Sequence, residues 1–255
     1  MKLGIETKVA LVTGGSQGIG RAVALQLAAE GVRVALTYRS EQARAAEVVR
    51  EIERGGGEAL AIPMDLGSLA SVTAAVEATI SRFARLDILI NNAVRWSELL
   101  PWQAPKFEEL GASEWQGVVH DNIDGTIAAI QAALPGMRAR GWGRIINVSS
   151  GVALDGVIGA GPYGAAKAAL HGLTACLARE LGPHGILINV VVPGFTLTEK
   201  MRARIPPGVE EQRGKAYPVG RLLPPEEVAP TIVFLGSAAN TAVTGEVVRA
   251  SGGRP

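Results

Sequence analysis

The 255-residue sequence predicts an α/β chain, with a central parallel sheet of about seven strands and helices on both faces. Three observations predict this. Short apolar runs alternate with longer stretches of helical periodicity. The first apolar run ends in a glycine-rich turn that opens straight into a helical stretch. A content of 47% apolar and 19% charged residues, with net charge +1, suits one large buried core. The expected organisation is a single domain over 1–255, with a substrate loop near 95–112 and a lid near 195–221.

The strands are expected, in order, at 9–13, 32–37, 59–64, 88–90, 144–149, 186–192 and 246–250, with helix-like stretches between most of them. Gly55-Gly-Gly57 reads as a turn from helix to strand. In an open parallel sheet, ligands sit beyond the carboxyl ends of the strands. Gly14, Asp65, Asn92, Ser150 and Pro193 all fall at or just past such ends, so they are expected to converge on one crevice.

Thr13-Gly-Gly-Ser-Gln-Gly-Ile-Gly20 follows the first strand. Gly14, Ser16, Gln17, Gly18, Ile19 and Gly20 are candidate contacts to a dinucleotide. Glycines let the backbone turn tightly and approach the ligand, and the following helix offers free N–H groups to a pyrophosphate. The spacing is Gly-x-x-x-Gly-x-Gly, not the Gly-x-Gly-x-x-Gly of many nucleotide sites. After the second strand stand Arg39 and Ser40, with no acidic residue to accept from an adenosine ribose. A guanidinium can bind a 2′-phosphate through paired, charge-assisted hydrogen bonds, so NADP(H) is expected in preference to NAD(H). Gln17 adds no second cation there.

Tyr163 and Lys167 lie four residues apart, on one face of a helix, and Tyr163 comes thirteen residues after Ser150. An ammonium near a phenol favours the phenolate and is expected to lower its pKa from about 10. Such a tyrosine can give a proton to a carbonyl oxygen or take one from an alcohol. Ser150, rather than its neighbour Ser149, is expected to hold the substrate oxygen.

On these residues the chain resembles the short-chain dehydrogenase/reductase family, from about Lys8 to Gly253. Thr13 to Gly20 matches the family's Thr-Gly-x-x-x-Gly-x-Gly. Further matches are Asp65-Leu66, Leu89-Ile-Asn-Asn-Ala93, Asn122 after Trp115, the set Ser150, Tyr163 and Lys167, and Asn189-Val-Val-Val-Pro-Gly194 with Thr198. Arg221, Glu227-Val-Ala229, Thr244-Gly245 and Gly252-Gly253 resemble its C-terminal pattern.

The resemblance implies a doubly wound Rossmann fold and hydride transfer between a nicotinamide and a carbonyl or alcohol carbon. It implies that Lys167 also binds the nicotinamide ribose and that Asn122 holds a proton-passing water. Asp65 and Leu66 would meet the adenine. Asn92, Ala93, Pro193 and Gly194 would line the cofactor, with Thr196 and Thr198 at its carboxamide or a phosphate. Members that reduce 3-oxoacyl thioesters are the nearest in kind, so the expected partner is a small carbonyl or alcohol substrate, including a carrier-bound thioester. A homotetramer is implied, with contacts around Asn122 and Tyr163. One departure stands out: Val94 occupies the family's glycine position after Asn-Asn-Ala, where it either points away or narrows the pocket. Two alternatives stay open: an NADP-dependent alcohol or sugar dehydrogenase, and a catalytically silent dinucleotide-binding sensor.

The charge balance gives no reason to expect nucleic acid or an anionic membrane as partner. No run approaches the roughly 18 to 20 apolar residues of a spanning helix, and no charged-then-apolar leader is read, so the cytoplasm is the expected location. Cys176 is the only cysteine, which excludes an intramolecular disulfide, and its apolar surroundings predict burial. His120, His171 and His184 have no metal-ligand spacing and are expected at the surface or in caps. The loop from Arg95 to Trp102 and on to Phe107 is rich in bulky apolar groups and could wall a pocket for an apolar substrate, cover a subunit interface or pack on its own domain. The lid's positive excess is expected as a solvated face, with attraction of an acidic carrier as the sharper alternative.

Overall fold

A computed structural model of the chain describes residues 2–96, 103–206 and 208–253. Trp102 and Pro207, and the part of the substrate loop at 97–102, lie outside the described residues. The strands are β1 (Val9–Val12), β2 (Arg33–Tyr38), β3 (Ala59–Pro63), β4 (Ile88–Asn91), β5 (Gly143–Val148), β6 (Ile186–Pro193) and β7 (Val247–Ala250). All pair in parallel, in the order β3-β2-β1-β4-β5-β6-β7. Each strand lies within a residue or so of its expected position, because apolar runs bounded by turn residues mark buried strands well.

The helices are α1 (Gly18–Ala29), α2 (Gln42–Arg54), α3 (Leu69–Phe83), α4 (Ala112–Arg140), α5 (Val152–Asp155), α6 (Gly161–Leu181), α7 (Glu199–Arg202), α8 (Val209–Gly214) and α9 (Pro225–Leu235). Both faces of the sheet are covered, so β1 is buried at every position. Ala10 and Val12 face one core with Val23 and Leu27 of α1 and Val228 and Ile232 of α9. Val9 and Leu11 face the other, with Val72 and Val76 of α3, Ile130 of α4 and Leu181 of α6. Strand order reverses between β1 and β4, the switch point beyond whose carboxyl ends open α/β sheets bind their ligands.

The opposite end of β4 is pinned by one buried carboxylate. Asp87 accepts from Val9 N–H at 3.0 Å and from Arg85 Nε and Nη2 at 2.7 and 2.8 Å. Arg140 Nε, from the end of α4, lies 3.4 Å away. Asp87→Ala would strand a buried N–H and two arginines. Both arginines reach solvent in part, so the expected loss is about 2–3 kcal/mol, below the 3–5 typical of fully buried pairs. Urea unfolding measures it; a loss under about 0.5 kcal/mol would contradict the pin.

One expectation fails here. Cys176 is exposed, not buried. Helix α6 buries Tyr163, Ala166, Lys167, Leu170, Thr174, Ala178 and Leu181. Residue 176 lies two positions past Thr174, about 200° around the helix, and so faces outward despite apolar neighbours in sequence.

Candidate active site

The glycine turn is shaped for a close ligand. Gly14 and Gly18 have φ of +65° and +56°, a region that side chains disfavour. A Cβ on Gly14 would lie 3.0 Å from Ala93 Cα, and one on Gly20 would lie 2.5 Å from Asn92 Nδ2. The turn is braced from β4. Asn92 Nδ2 donates to the Thr13 and Gly14 carbonyls at 2.9 and 3.1 Å. The Thr13 hydroxyl accepts from Asn92 and Ala93 N–H, both at 2.9 Å. Gly14 N–H donates to Thr37 Oγ1 at 2.9 Å. Gln17, at the N-cap of α1, makes no side-chain bond to the first turn. The turn therefore presents helix N–H groups without a side-chain cap beside a backbone that no Cβ obstructs. These residues fit a pyrophosphate.

Arg39 and Ser40 are exposed just past β2. The nearby Arg44 is tied to Glu41 and to Glu199 of the lid at 3.3 and 3.5 Å. Arg39 has no carboxylate partner among the described residues. Asp65 is exposed past β3, and its Oδ1 accepts from Gly67 N–H at 3.0 Å. Leu66 packs against Gly125, where a Cβ would lie 2.6 Å from its side chain. Val94 is 49% exposed, and its φ is not positive. The close approach of the two loops falls at Gly14 and Ala93, so the backbone at 94 needs no glycine.

Past β6, Gly151 N–H bonds the Pro193 carbonyl at 3.0 Å, and a Cβ on Gly194 would lie 2.9 Å from Ser251 Cβ. Thr196 Oγ1 donates to the Gly194 carbonyl at 3.3 Å, and Thr198 Oγ1 caps α7 by accepting from Met201 N–H at 3.2 Å. Both hydroxyls thus serve local turns. Thr198 also packs on the glycine turn, its Cγ2 within 3.1 Å of where a Gly18 Cβ would be. In the lid, Arg202 and Lys215 pair with Glu210 and Glu211 of the same segment, and Arg221 pairs with Glu227 outside it.

Helix α6 brings Tyr163 (8% exposed) and Lys167 (3% exposed) against the end of β5, where Lys167 meets the Val148 carbonyl. Ser150 lies beside the Tyr163 phenol and favours its phenolate. Burial pushes the Tyr163 pKa up to about 12, and Ser150 opposes this only in part. The expected lowering by Lys167 is therefore not what the structure shows. The reason is geometric. Lys167 Nζ donates to the Val148 carbonyl at 2.9 Å and lies 6.0 Å from the Tyr163 ring centre. Burial pushes its own pKa down to about 8, which weakens it as a cation beside the phenol.

Ser149 is spent elsewhere: its Oγ donates to the Lys167 carbonyl at 3.1 Å and lies 2.8 Å from His171 Nε2. One hydroxyl has one proton, so His171 Nε2–H is the donor in that second bond. Burial lowers the His171 pKa and keeps the ring neutral. His120 lies 3.6 Å from Asp124 one turn along α4. Among the described residues no cluster of His, Cys, Asp and Glu could hold a metal, and no helix is long and apolar enough to cross a membrane.

Asn122, buried in α4, holds a neighbouring backbone. Its Nδ2 donates to the Arg95 and Val118 carbonyls, both at 2.7 Å, and its Oδ1 accepts from Arg95 N–H at 3.3 Å. Arg95 in turn donates to Asp121 at 2.8 Å. The next residue, Trp96, lays its ring 3.9 Å from the Tyr163 ring centre, tilted by 58°. Sequence reasoning marked the segment but missed this brace and the ring pair. Arg95 and Asp121 stand 26 positions apart and carry no motif.

A seven-stranded parallel sheet, a glycine turn at its switch point and a serine–tyrosine pair with a lysine one turn along define a Rossmann-type oxidoreductase. The comparisons with known proteins agree. Residues 8–207 match the family described as short chain dehydrogenase. The short-chain reductase protein NovJ of Streptomyces niveus is 40% identical, over 98% of this chain and 95% of that protein. The 3-oxoacyl-[acyl-carrier-protein] reductase FabG of Staphylococcus aureus is 38% identical, over 97% and 98%. A solved 7α-hydroxysteroid dehydrogenase, complexed with NADH and 7-oxo glycochenodeoxycholic acid, superposes with TM-score 0.90 at 30% identity, over 99% of this chain and 96% of that one. The chain belongs to the short-chain dehydrogenase/reductase family and is an oxidoreductase.

Proposed function

We propose that this enzyme is an NADPH-dependent carbonyl reductase, resembling the 3-oxoacyl thioester reductases, and works as a cytoplasmic homotetramer. The observation that carries the reading is the pairing of a glycine turn open to a pyrophosphate with Ser150 beside the buried Tyr163 and Lys167 of α6. When bound, the reduced cofactor supplies a hydride to the carbonyl carbon. Gly14, Ser16, Gln17, Gly18, Ile19 and Gly20 would hold its pyrophosphate, and Asp65 and Leu66 its adenine. Asn92, Ala93, Pro193, Gly194, Thr196 and Thr198 would line it, with Lys167 at the nicotinamide ribose.

Ser150 donates to the substrate oxygen and steadies its developing negative charge. Tyr163 gives that oxygen its proton, and the alcohol leaves. A phenol held near pKa 12 keeps its proton at neutral pH, the form that gives a proton to the substrate oxygen. Asn122, through Arg95, positions the segment that faces Tyr163.

The coenzyme choice rests on Arg39. The steroid dehydrogenase relative was solved with NADH, whereas this chain presents an exposed guanidinium and no acid at the end of β2. Arg39→Asp is expected to raise the KM for NADPH about 10- to 100-fold and to improve NADH use, since one charge-assisted phosphate contact is lost. Steady-state kinetics with both coenzymes measure this; an unchanged NADPH/NADH ratio would remove the 2′-phosphate argument. The activity itself is tested by following NADPH absorbance over a carbonyl panel that begins with acetoacetyl thioesters.

A further inference from the structure

We propose that Trp96 is the specificity-determining wall of the site, and that the preferred substrate is a ketone bearing a flat, apolar ring next to the carbonyl. This rests on the reading of Tyr163 as the group that protonates the substrate oxygen.

The position of Trp96 is built in. Asn122 grips both the N–H and the carbonyl of Arg95, and Asp121, only 15% exposed, grips its guanidinium. The next side chain therefore leaves a fixed backbone, and it lies directly on the phenol. A centroid separation of 3.9 Å is closer than the 4.5–7 Å usual for aromatic pairs. Whatever body is attached to a carbonyl at the Tyr163 hydroxyl must touch this indole.

The space beside the two rings is apolar. Pro105, Leu110, Trp115, Val118 and Pro162 line it with Trp96. Among the described lining residues Glu114 is the ionisable group other than Tyr163, and its Oε2 already accepts from Gly111 N–H at 2.9 Å, at the start of α4. No lysine or arginine among the described lining residues waits for a phosphate or carboxylate. An anionic or strongly hydrated substrate body would lose its water without a partner. An aromatic one gains two indoles.

The cleft measures about 40 Å³, close to the ~30 Å³ that one water occupies in the liquid. A ring enters only as Trp96 swings off Tyr163, and the indole then packs on the incoming ring. Trp96 thus shields the phenol when the cleft is empty and selects the substrate when it fills.

The test compares acetophenone with 2-butanone on the full chain, as wild type, W96A and W96F. Wild type is expected to favour acetophenone. W96A is expected to lose about 10- to 100-fold in kcat/KM on acetophenone, mostly through KM, and no more than about threefold on 2-butanone. W96F is expected to recover most of the loss. A W96A variant that slows both ketones equally or neither, or a wild type that prefers 2-butanone, overturns the inference and leaves the reductase reading standing. Acetophenone binding is followed separately by quenching of tryptophan fluorescence. Saturable quenching in wild type that is lost in W96A, without turnover of either ketone, sinks the reductase reading and keeps the wall. No quenching and no turnover sinks both.

Discussion

Tyr163→Phe is expected to cut carbonyl reduction by about 10²–10⁴-fold, the usual contribution of a positioned general acid, with NADPH affinity changed less than about threefold. Phenylalanine keeps the ring, its burial and its contact with Trp96. It removes only the phenolic hydroxyl beside Ser150. Single-turnover reduction and fluorescence titration with NADPH separate the two effects. A variant that turns over normally would refute the assignment of the proton donor.

The same hydroxyl sets the pH dependence. With its pKa pushed up by burial to about 12, Tyr163 is protonated throughout the neutral range. Reduction should therefore be nearly flat from pH 6 to 8 as far as this group decides it. Alcohol oxidation needs the phenolate and should climb with pH, by up to about tenfold per unit. Lys167 works in the same window with the opposite sign: as pH falls through about 8 it gains charge, and a charged neighbour favours the phenolate. The oxidation rise should thus be less than tenfold per unit near pH 8. Rates measured in both directions from pH 6 to 9 check this, and an oxidation rate independent of pH would contradict it.

Gly20→Ala is expected to weaken NADPH binding by about 100-fold or more and to lower stability by about 1–3 kcal/mol, the usual cost of overpacking. The added methyl would sit 2.5 Å from Asn92 Nδ2 and closer still to the Gly14 carbonyl. That amide is what ties the turn after β1 to the end of β4. Relieving the clash means releasing the brace or moving the turn, and either spoils the pyrophosphate cradle. Gly172→Ala is the control, since a Cβ there meets nothing within 4 Å. Fluorescence titration and thermal unfolding give both numbers. A Gly20→Ala enzyme that binds NADPH as wild type does would show that the turn is not the cradle.

The fold was legible because parallel strands buried on both faces read as unbroken apolar runs, as at Val9–Val12. The candidate site was read where chemistry depends on short spacings: the glycine turn, and the tyrosine and lysine one turn apart. Ser150 was separable from Ser149 by spacing, and the structure adds a reason, since Ser149 is bonded to His171 and the Lys167 carbonyl. Val94, which replaces the family's glycine, is 49% exposed and its φ is not positive. Cys176 went wrong because apolar neighbours in sequence do not say which side of a helix a residue takes.

Local order along the chain determined the class of this protein: the alternation of strands and helices, the glycine turn after the first strand, and the spacing of its candidate hydroxyls. Those features repeat at fixed, short intervals, so one dimension suffices to read them. The tertiary structure decided how the groups are tuned and what surrounds them. The phenol's raised pKa, the lysine's turn toward Val148 and the indole on Tyr163 all depend on desolvation and on contacts between residues far apart in sequence. Burial and long-range packing exist only once the chain has closed on itself.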